Sequence, residues 1–484
     1  MPSTGEATRK LFCCLVPSYL QPRRDALDKP PLKLHATSCL DGLRGVAALI
    51  VFIFHILFSY TAFHDFGYGQ SPDQKYVFQL PIIRVLYAGH AMVVVFFVVG
   101  GYVFSIKPLK LIHSGQKLSF LDALVSSVFR RAIRLYMPAV IATFLTMLTV
   151  YCGLWEFPRQ FITEDRSIIW YPDNHLERSG TFTSQLLDWV HETKLLSNVF
   201  TYYNNGFLFP YYPHYDPHLW TVPIEFRSSM LLALSLLGLS RCRPPLRVTL
   251  SLGTILYCIL WDRWELVCFL SGSLLCYIDI TTSAVVQSYR ADHNEKDITL
   301  DMETLLPQKE PPGFQQEPTL PRIKRYALLF FAGLYLLSAP PLEMSSTPGY
   351  MWLSHLVPST YTDPKRFPHT IGALLLTFAL TRSPILRQPF ETAAAQYLGK
   401  ISFSLYIVHG PLIHMVGYSV TPVMWRYVIG METQWQWVTG LFLGSCVLAV
   451  VVAIVADWFW RIVEGTSITW AKKFEDWCFE ESQR

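Results

Sequence analysis

Apolar residues form long runs along this chain, and polar residues collect between the runs. A helix that crosses a bilayer needs about 20 predominantly apolar residues. Six runs meet this requirement clearly, at residues 43–60, 86–106, 135–155, 264–280, 401–420 and 437–460. Four shorter or charge-interrupted runs are weaker candidates, at residues 219–240, 246–261, 326–342 and 370–386. The pattern predicts an all-α fold, a polytopic transmembrane helical bundle of about ten spans.

The amino-acid composition is typical of a protein embedded in a membrane. Hydrophobic residues make up 51% and charged residues only 16%, whereas soluble domains carry roughly 25% charged residues. Aromatic residues such as Trp261 and Trp264 stand at the ends of apolar runs, as in membrane-interface belts. The ten cysteines include no CxxC pair, so neither a metal nor a redox site is expected. We expect the lipid bilayer and no nucleic acid among the partners.

The basic residues indicate how the chain is oriented. With both termini in the cytosol, 28 of the 40 Lys and Arg residues fall on the cytosolic side and 10 on the opposite side, as the positive-inside tendency requires. The predicted organisation is a cytosolic tail (1–39), a first membrane part (40–281), a disordered cytosolic insert (282–325), a second membrane part (326–460) and a cytosolic C-terminal tail (461–484). On the opposite side, the aromatic stretch 200–220 is expected to pack at the interface or over a cavity.

Two ionisable residues lie inside the first predicted span. Arg44 and His55 are 11 residues apart, which places them within about 20° of one helix face and about 16 Å apart along the axis. Such side chains normally face a cavity or a partner. A buried neutral imidazole suits a general base, and the alternative for His55 is a hydrogen bond between helices. Arg44 could hold an anion near the cytosolic mouth, or serve as a lipid anchor or as a partner of Asp41.

Further charged residues border the third and fourth predicted spans. The cytosolic end of the third span carries Arg130, Arg131 and Arg134. Three guanidinium groups so arranged could bind the phosphates of a ligand, or they could anchor the helix to anionic lipid headgroups. Glu225 and Arg227 enter from the far side near the depth of His55. They are two residues apart and do not share a helix face, so they need not neutralise each other.

Five blocks of sequence together resemble the acyltransferase 3 family of polytopic membrane acyltransferases. They lie at residues 40–55, 96–104, 129–138, 219–226 and 398–409, in the family's order, and the similarity is strongest to members from filamentous fungi. The resemblance implies transfer of an acyl group, usually acetyl from acetyl-CoA, to a hydroxyl of a carbohydrate or small metabolite. It also implies that Arg44 and His55 are essential, that Arg131 and Arg134 form the family's RxxR pair, and that Glu225 belongs to its Trp-containing motif.

The resulting hypothesis is an acetyl-CoA-dependent O-acetyltransferase without a permanently bound cofactor. Arg130, Arg131 and Arg134 would bind the phosphates of CoA, and His55 would deprotonate an acceptor of terpenoid, polyketide or carbohydrate type. An acyl-histidine intermediate is the variant. Glu225 would orient His55 or bind the acceptor, and His409 would be a site member or a packing residue. The expected location is the endoplasmic reticulum or another endomembrane. The alternative function is a secondary transporter with an intramembrane His/Glu/Arg relay.

Overall fold

Regular structure in this computed structural model is helical throughout the part of the chain that it describes. That part comprises residues 16–18, 34–35, 37–163, 168–200, 212–297 and 320–479, with side chains described except at 283–297 and 320–323. The helices are α1 (Ser38–Tyr60), α2 (Gly89–His113), α3 (Lys117–Tyr151), α4 (Glu156–Thr163), α5 (Phe182–Leu196), α6 (Thr221–Leu239), α7 (Pro244–Leu260), α8 (Trp264–Asp297), α9 (Leu320–Leu337), α10 (Met351–Ser354), α11 (Arg366–Arg382), α12 (Pro384–Glu391), α13 (Ala393–Leu412), α14 (Tyr418–Val423), α15 (Gln434–Phe459) and α16 (Gly465–Cys478).

Six of the helical segments in the described residues are long and apolar enough to cross a membrane. They are Ser38–Tyr60, Gly89–His113, Lys117–Tyr151, Pro217–Leu239, Trp264–Thr282 and Gln434–Cys478. A seventh is possible if α11 and α12 form one span, but this pair is bent by 100°, and Pro384 begins α12. Helix α7 is apolar but has only 17 residues. The all-α membrane fold is therefore confirmed, whereas the number of ten spans stays a prediction.

Helix α1 packs against α2 and α13, and it also contacts α11 and α12. Small residues let it approach these neighbours closely. A Cβ added at Gly45 would collide with the backbone of Gly399 on α13, and one at Gly42 with the backbone of Phe390 on α12. Close backbone approach through small residues is a common way to pack helices in membranes. This contact fixes where α1 presents Arg44 and His55.

The contact between α1 and α13 leads to a stability prediction. Gly45→Ala should lower the melting temperature of the detergent-solubilised protein, because the added methyl must push α1 away from α13, at a cost of about 1–3 kcal/mol. The matched control is Gly253→Ala on α7, where an added Cβ meets nothing within 4 Å. We expect this control to melt at or slightly above the wild-type temperature. Equal melting temperatures for the two variants would contradict the close packing.

Two predicted loops fall partly outside the described residues. In the predicted insert, α8 continues to Asp297 and residues 298–319 are not described. In the aromatic stretch, residues 201–211 are not described, but Tyr215, Asp216 and His218 beyond them are buried. That end of the stretch folds into the protein and leads directly into α6. The described part of the predicted C-terminal tail is also helical, since a π turn at Trp460–Glu464 joins α15 to α16.

Candidate active site

A cavity of about 400 Å³ opens between α1, α2, α3, α6, α13 and the C-terminal helices. Five basic side chains line it: Arg44, Lys107, Arg130, Arg131 and Arg134. Two carboxylates face them, Glu225 from α6 and Glu464 from the π turn before α16. The cavity therefore carries an excess of positive charge, which favours an anionic occupant such as a phosphate group.

Helix α3 supplies three of these five basic side chains, Arg130, Arg131 and Arg134. The Nη2 of Arg131 donates to Oε1 of Glu225 at 2.8 Å, and its Nε donates to Oγ of Ser229 at 3.1 Å. Arg130 forms an ion pair with Glu475 of α16 at 3.1 Å. These contacts hold the guanidinium groups of the cluster at the cavity wall.

Glu464 is the second carboxylate of the cavity. It accepts a hydrogen bond from Oγ of Ser404 on α13 at 2.7 Å, and Arg44 and Arg134 interact with it electrostatically. Helix α15 continues through the π turn without a break, so Glu464 reaches the cavity from a segment whose sequence suggested a tail. The residue thus neutralises part of the charge that Arg44 and Arg134 bring.

Three histidines from different segments form a cluster around His55, which lies 11 residues after Arg44 on α1. The ring centroids of His55 and His218 are 4.0 Å apart, those of His218 and His409 4.6 Å, and those of His55 and His409 5.2 Å. His218 belongs to the short turn before α6, and His409 is on α13. Nε2 of His218 lies 3.1 Å from Nδ1 of His55, within hydrogen-bond distance. His55 thus faces two other imidazoles, and its role as a general base stays a prediction.

Two aspartates flank His218. Oδ1 of Asp216 accepts from Nδ1 of His218 at 2.7 Å and from its backbone N–H at 3.1 Å. Oδ2 of Asp173, in the segment between α4 and α5, lies 3.7 Å from Nε2 of His218. Burial raises the pKa of the Asp173 carboxyl, and neighbouring His218 opposes that rise. Two aspartates that do not line the cationic cavity therefore border the histidine cluster.

Thr221 and Tyr406 connect the two halves of the site. Both line the cationic cavity, and their hydroxyl oxygens are 2.7 Å apart. The Tyr406 hydroxyl also donates to the backbone carbonyl of His218, and its ring centroid is 5.8 Å from that of His409. A molecule extending from the arginines to Tyr406 would thus end beside the histidines.

The predicted site residues divide between these two places. Arg44, Arg130, Arg131, Arg134 and Glu225 meet in the cationic cavity, and His55 lies in the histidine cluster. Glu225 contacts Arg131, and a role in orienting His55 or binding the acceptor stays a prediction.

Sequence reasoning did not select Asp216, His218 or Glu464. For Asp216 and His218, the sequence Asp-Pro-His could have indicated a structured turn. Asp216 caps the turn before α6, and Pro217 is the first residue of that turn.

The histidine cluster also has the spacing of a possible metal site. Among the residues that the structure describes, only His55, His218 and His409 form a group of histidine, cysteine or acidic side chains whose ligand atoms could share an ion, all within 4.8 Å of one another. The hydrogen bond from His218 to Asp216 would suit either a metal ligand or a proton-transferring imidazole.

The chain is similar to known acyltransferases over most of its length. A family model described as an acyltransferase domain matches residues 37–457. The O-acetyltransferase PaAT-1 of Phomopsis amygdali is 28% identical, over 97% of this chain and 89% of its own length. Acyltransferase R4 of a Phoma species is 25% identical, over 90% of this chain and 95% of its own. Acyltransferase clz18 of Cochliobolus lunatus is 24% identical, over 89% and 93%. No solved structure matches the chain significantly.

Proposed function

Because the chain belongs to the acyltransferase 3 family, whose domain covers residues 37–457, we propose that it is a membrane-bound O-acetyltransferase. In this proposal it moves the acetyl group of acetyl-CoA to a hydroxyl of a small metabolite of terpenoid or polyketide type, or of a carbohydrate. The observation that carries the proposal is the cavity with five basic side chains that reaches Tyr406 and Thr221, next to the histidine cluster.

The cationic end of the cavity is the proposed donor site. Guanidinium groups bind phosphate oxygens through paired, charge-assisted hydrogen bonds, and CoA carries several phosphate oxygens at one end and its thioester at the other. Arg130, Arg131 and Arg134 would bind the phosphates, and Arg44 would guide the entry of the donor. The pantetheine arm would then extend past Tyr406 and bring the thioester towards His55.

The proposed chemistry at His55 is general-base catalysis. The unprotonated nitrogen takes the proton of the acceptor hydroxyl as the oxygen attacks the thioester carbonyl carbon. The C–S bond then breaks, the ester leaves, and the imidazolium returns its proton to the thiolate of CoA. Proton and electron pairs balance without a metal or a permanently bound cofactor in the proposed reaction. Glu225, which pairs with Arg131, would act on the donor side by orienting that guanidinium.

The proposed topology places the donor site on the cytosolic side. Both termini and the arginine cluster would face the cytosol, where acetyl-CoA is supplied, and about ten spans would cross an endomembrane such as the endoplasmic reticulum. The name of the Phomopsis amygdali relative, an O-acetyltransferase, supports a hydroxyl acceptor. We favour a lipophilic metabolite over a carbohydrate because such a molecule partitions into the bilayer that surrounds the bundle.

Acetyl-CoA turnover by membranes that contain the protein tests the proposal. With a panel of terpenoid and polyketide alcohols, we expect release of CoA and an acetyl ester of one alcohol, identified by mass spectrometry. Membranes carrying the His55→Ala variant are the control. The secondary transporter instead predicts that an alcohol accumulates unmodified in sealed vesicles, without CoA release, and that outcome would contradict the proposal.

Glu464 offers a test of the donor site. Glu464→Gln should lower the KM for acetyl-CoA about two- to fivefold, because the charge of Glu464 interacts electrostatically with Arg44 and Arg134. A partly exposed interaction of this kind contributes up to about 1 kcal/mol, and the neutral glutamine no longer competes with phosphate for these arginines. Its amide oxygen can still accept the hydrogen bond from Ser404. The matched control, Glu156→Gln, removes the partner of Arg159 outside the cavity and should leave this KM unchanged. A higher KM in Glu464→Gln would mean that Glu464 helps to bind the donor.

A further inference from the structure

The contacts around His218 suggest how the proton on His55 is placed. We propose that Asp216 and His218 are positioning residues that keep a proton on Nδ1 of His55 and thereby leave Nε2 as the basic atom. This inference rests on the proposed function, since it assigns a role to the base of that reaction.

The first step of the argument concerns Asp216. A carboxylate only accepts hydrogen bonds, and Oδ1 of Asp216 lies 2.7 Å from Nδ1 of His218. Nδ1 of His218 must therefore carry a proton. In the neutral imidazole the other nitrogen, Nε2, then holds a lone pair and acts as an acceptor.

The second step transfers this constraint to His55. Nε2 of His218 and Nδ1 of His55 are 3.1 Å apart. While His218 is neutral, this nitrogen accepts and Nδ1 of His55 donates, so the proton is held on His55. Oδ2 of Asp173 lies 3.7 Å from the same nitrogen of His218, beyond hydrogen-bond distance. Nε2 of His55 is left with the lone pair. An Asp–His–His chain of this kind selects one tautomer of the last imidazole, as partner groups of functional histidines generally do.

The surroundings hold the chain in place. Asp216 and His218 are 2% and 5% exposed, so water does not compete for their hydrogen bond. Gly410 on α13 leaves the room that they occupy, because a Cβ there would collide with Nδ1 of His218 and lie 2.6 Å from Oδ1 of Asp216. The Tyr406 hydroxyl anchors the backbone carbonyl of His218. Contacts from its own turn and from α13 thus fix the position of the His218 imidazole.

The hydrogen-bond partners of His218 favour this proton-holding chain over a metal centre. Nδ1 of His218 lies 2.7 Å from Oδ1 of Asp216, and its Nε2 lies 3.1 Å from Nδ1 of His55. Both ring nitrogens of His218 are therefore engaged, and a metal ion would have to take the lone pair that the contact with His55 uses.

A matched pair of substitutions at His218 tests the proposal. Glutamine and methionine have similar length and volume, but only glutamine offers an oxygen that can accept the proton on Nδ1 of His55. With acetyl-CoA and the best alcohol of the panel, we expect His218→Met to lower kcat roughly 100-fold with little change in the KM for acetyl-CoA. His218→Gln should retain at least tenfold more of the wild-type kcat than His218→Met.

Three results would overturn the proposal. One is wild-type kcat in His218→Met when His55→Ala is inactive in the same membranes, which would leave the proposed function intact. Another is an equal loss of kcat in the glutamine and methionine variants. The third is a stoichiometric transition metal in the purified wild-type protein that is lost in His218→Met. Activity in His55→Ala would instead refute the proposed function itself.

Discussion

Replacing His55 with alanine should lower kcat for acetyl transfer by about 10³-fold or more, while the amount of protein in the membrane stays at the wild-type level. General-base catalysis typically contributes 10²–10⁴-fold, and His55→Ala removes the only proton acceptor that the proposed reaction uses. His218, in the turn before α6, and His409, on α13, are the neighbouring imidazoles of His55. CoA release and ester formation by membranes, measured by mass spectrometry, give the rate.

The control for His55→Ala must also remove an imidazole from the interior of the bundle. His414 is 2% exposed and stacks on Trp155 at a centroid distance of 4.9 Å, outside the three-histidine cluster. We expect His414→Ala to lose thermal stability but to keep kcat within about threefold of wild type per folded molecule. If His414→Ala and His55→Ala lost the same activity per folded molecule, general disruption of the bundle would explain both, and the catalytic role of His55 would be wrong.

The sequence predicted the parts of the site that lie on single helices. The spacing of Arg44 and His55 follows from 3.6 residues per turn. Arg44 lines the cationic cavity, and His55 lies in the histidine cluster. Arg131 and Arg134 are one turn apart, so their shared face is also fixed by helix geometry. In both cases the spacing along one helix is enough to predict which side chains share a face.

Contacts between helices could not be derived in this way. Glu225 pairs with Arg131 because α6 packs beside α3, and nothing in either segment's own period indicates that pairing. His218 approaches His55 from 163 positions away in the chain. The fold must be known before such pairs can be assigned, because their energies depend on which helix faces are neighbours.

The predicted and the observed structures also differ at the ends of helices. The last apolar run predicts a span that ends at residue 460, yet the helical structure continues through Glu464 into α16. Residues 461–464 contain neither proline nor glycine, so nothing in them favours a helix end. This extension of the helix brings the charged side chain of Glu464 to the cavity. The same reasoning explains the bend between α11 and α12, where Pro384 cannot continue the hydrogen bonding of the preceding helix.

Removing the RxxR pair should produce the other large effect. The double substitution of Arg131→Gln and Arg134→Gln should reduce kcat/KM for acetyl-CoA by about 10²–10⁴-fold, because each hydrogen bond to a charged group contributes about 1.5–3 kcal/mol. Most of the loss should appear in KM, since these side chains line the cationic cavity and not the histidine cluster. Initial rates of CoA release against acetyl-CoA concentration provide both constants.

The position of these arginines allows a control that separates donor binding from charge in general. Arg159→Gln removes a guanidinium that pairs with Glu156, outside the cavity, and should leave kcat/KM within about twofold of wild type. Arg131→Lys should fall between wild type and the double variant, because an ammonium keeps the charge but loses the planar fork that contacts both Glu225 and Ser229. If the double variant instead lowered kcat at an unchanged KM, the arginines would act on the reacting groups, and the donor phosphates would have to bind elsewhere.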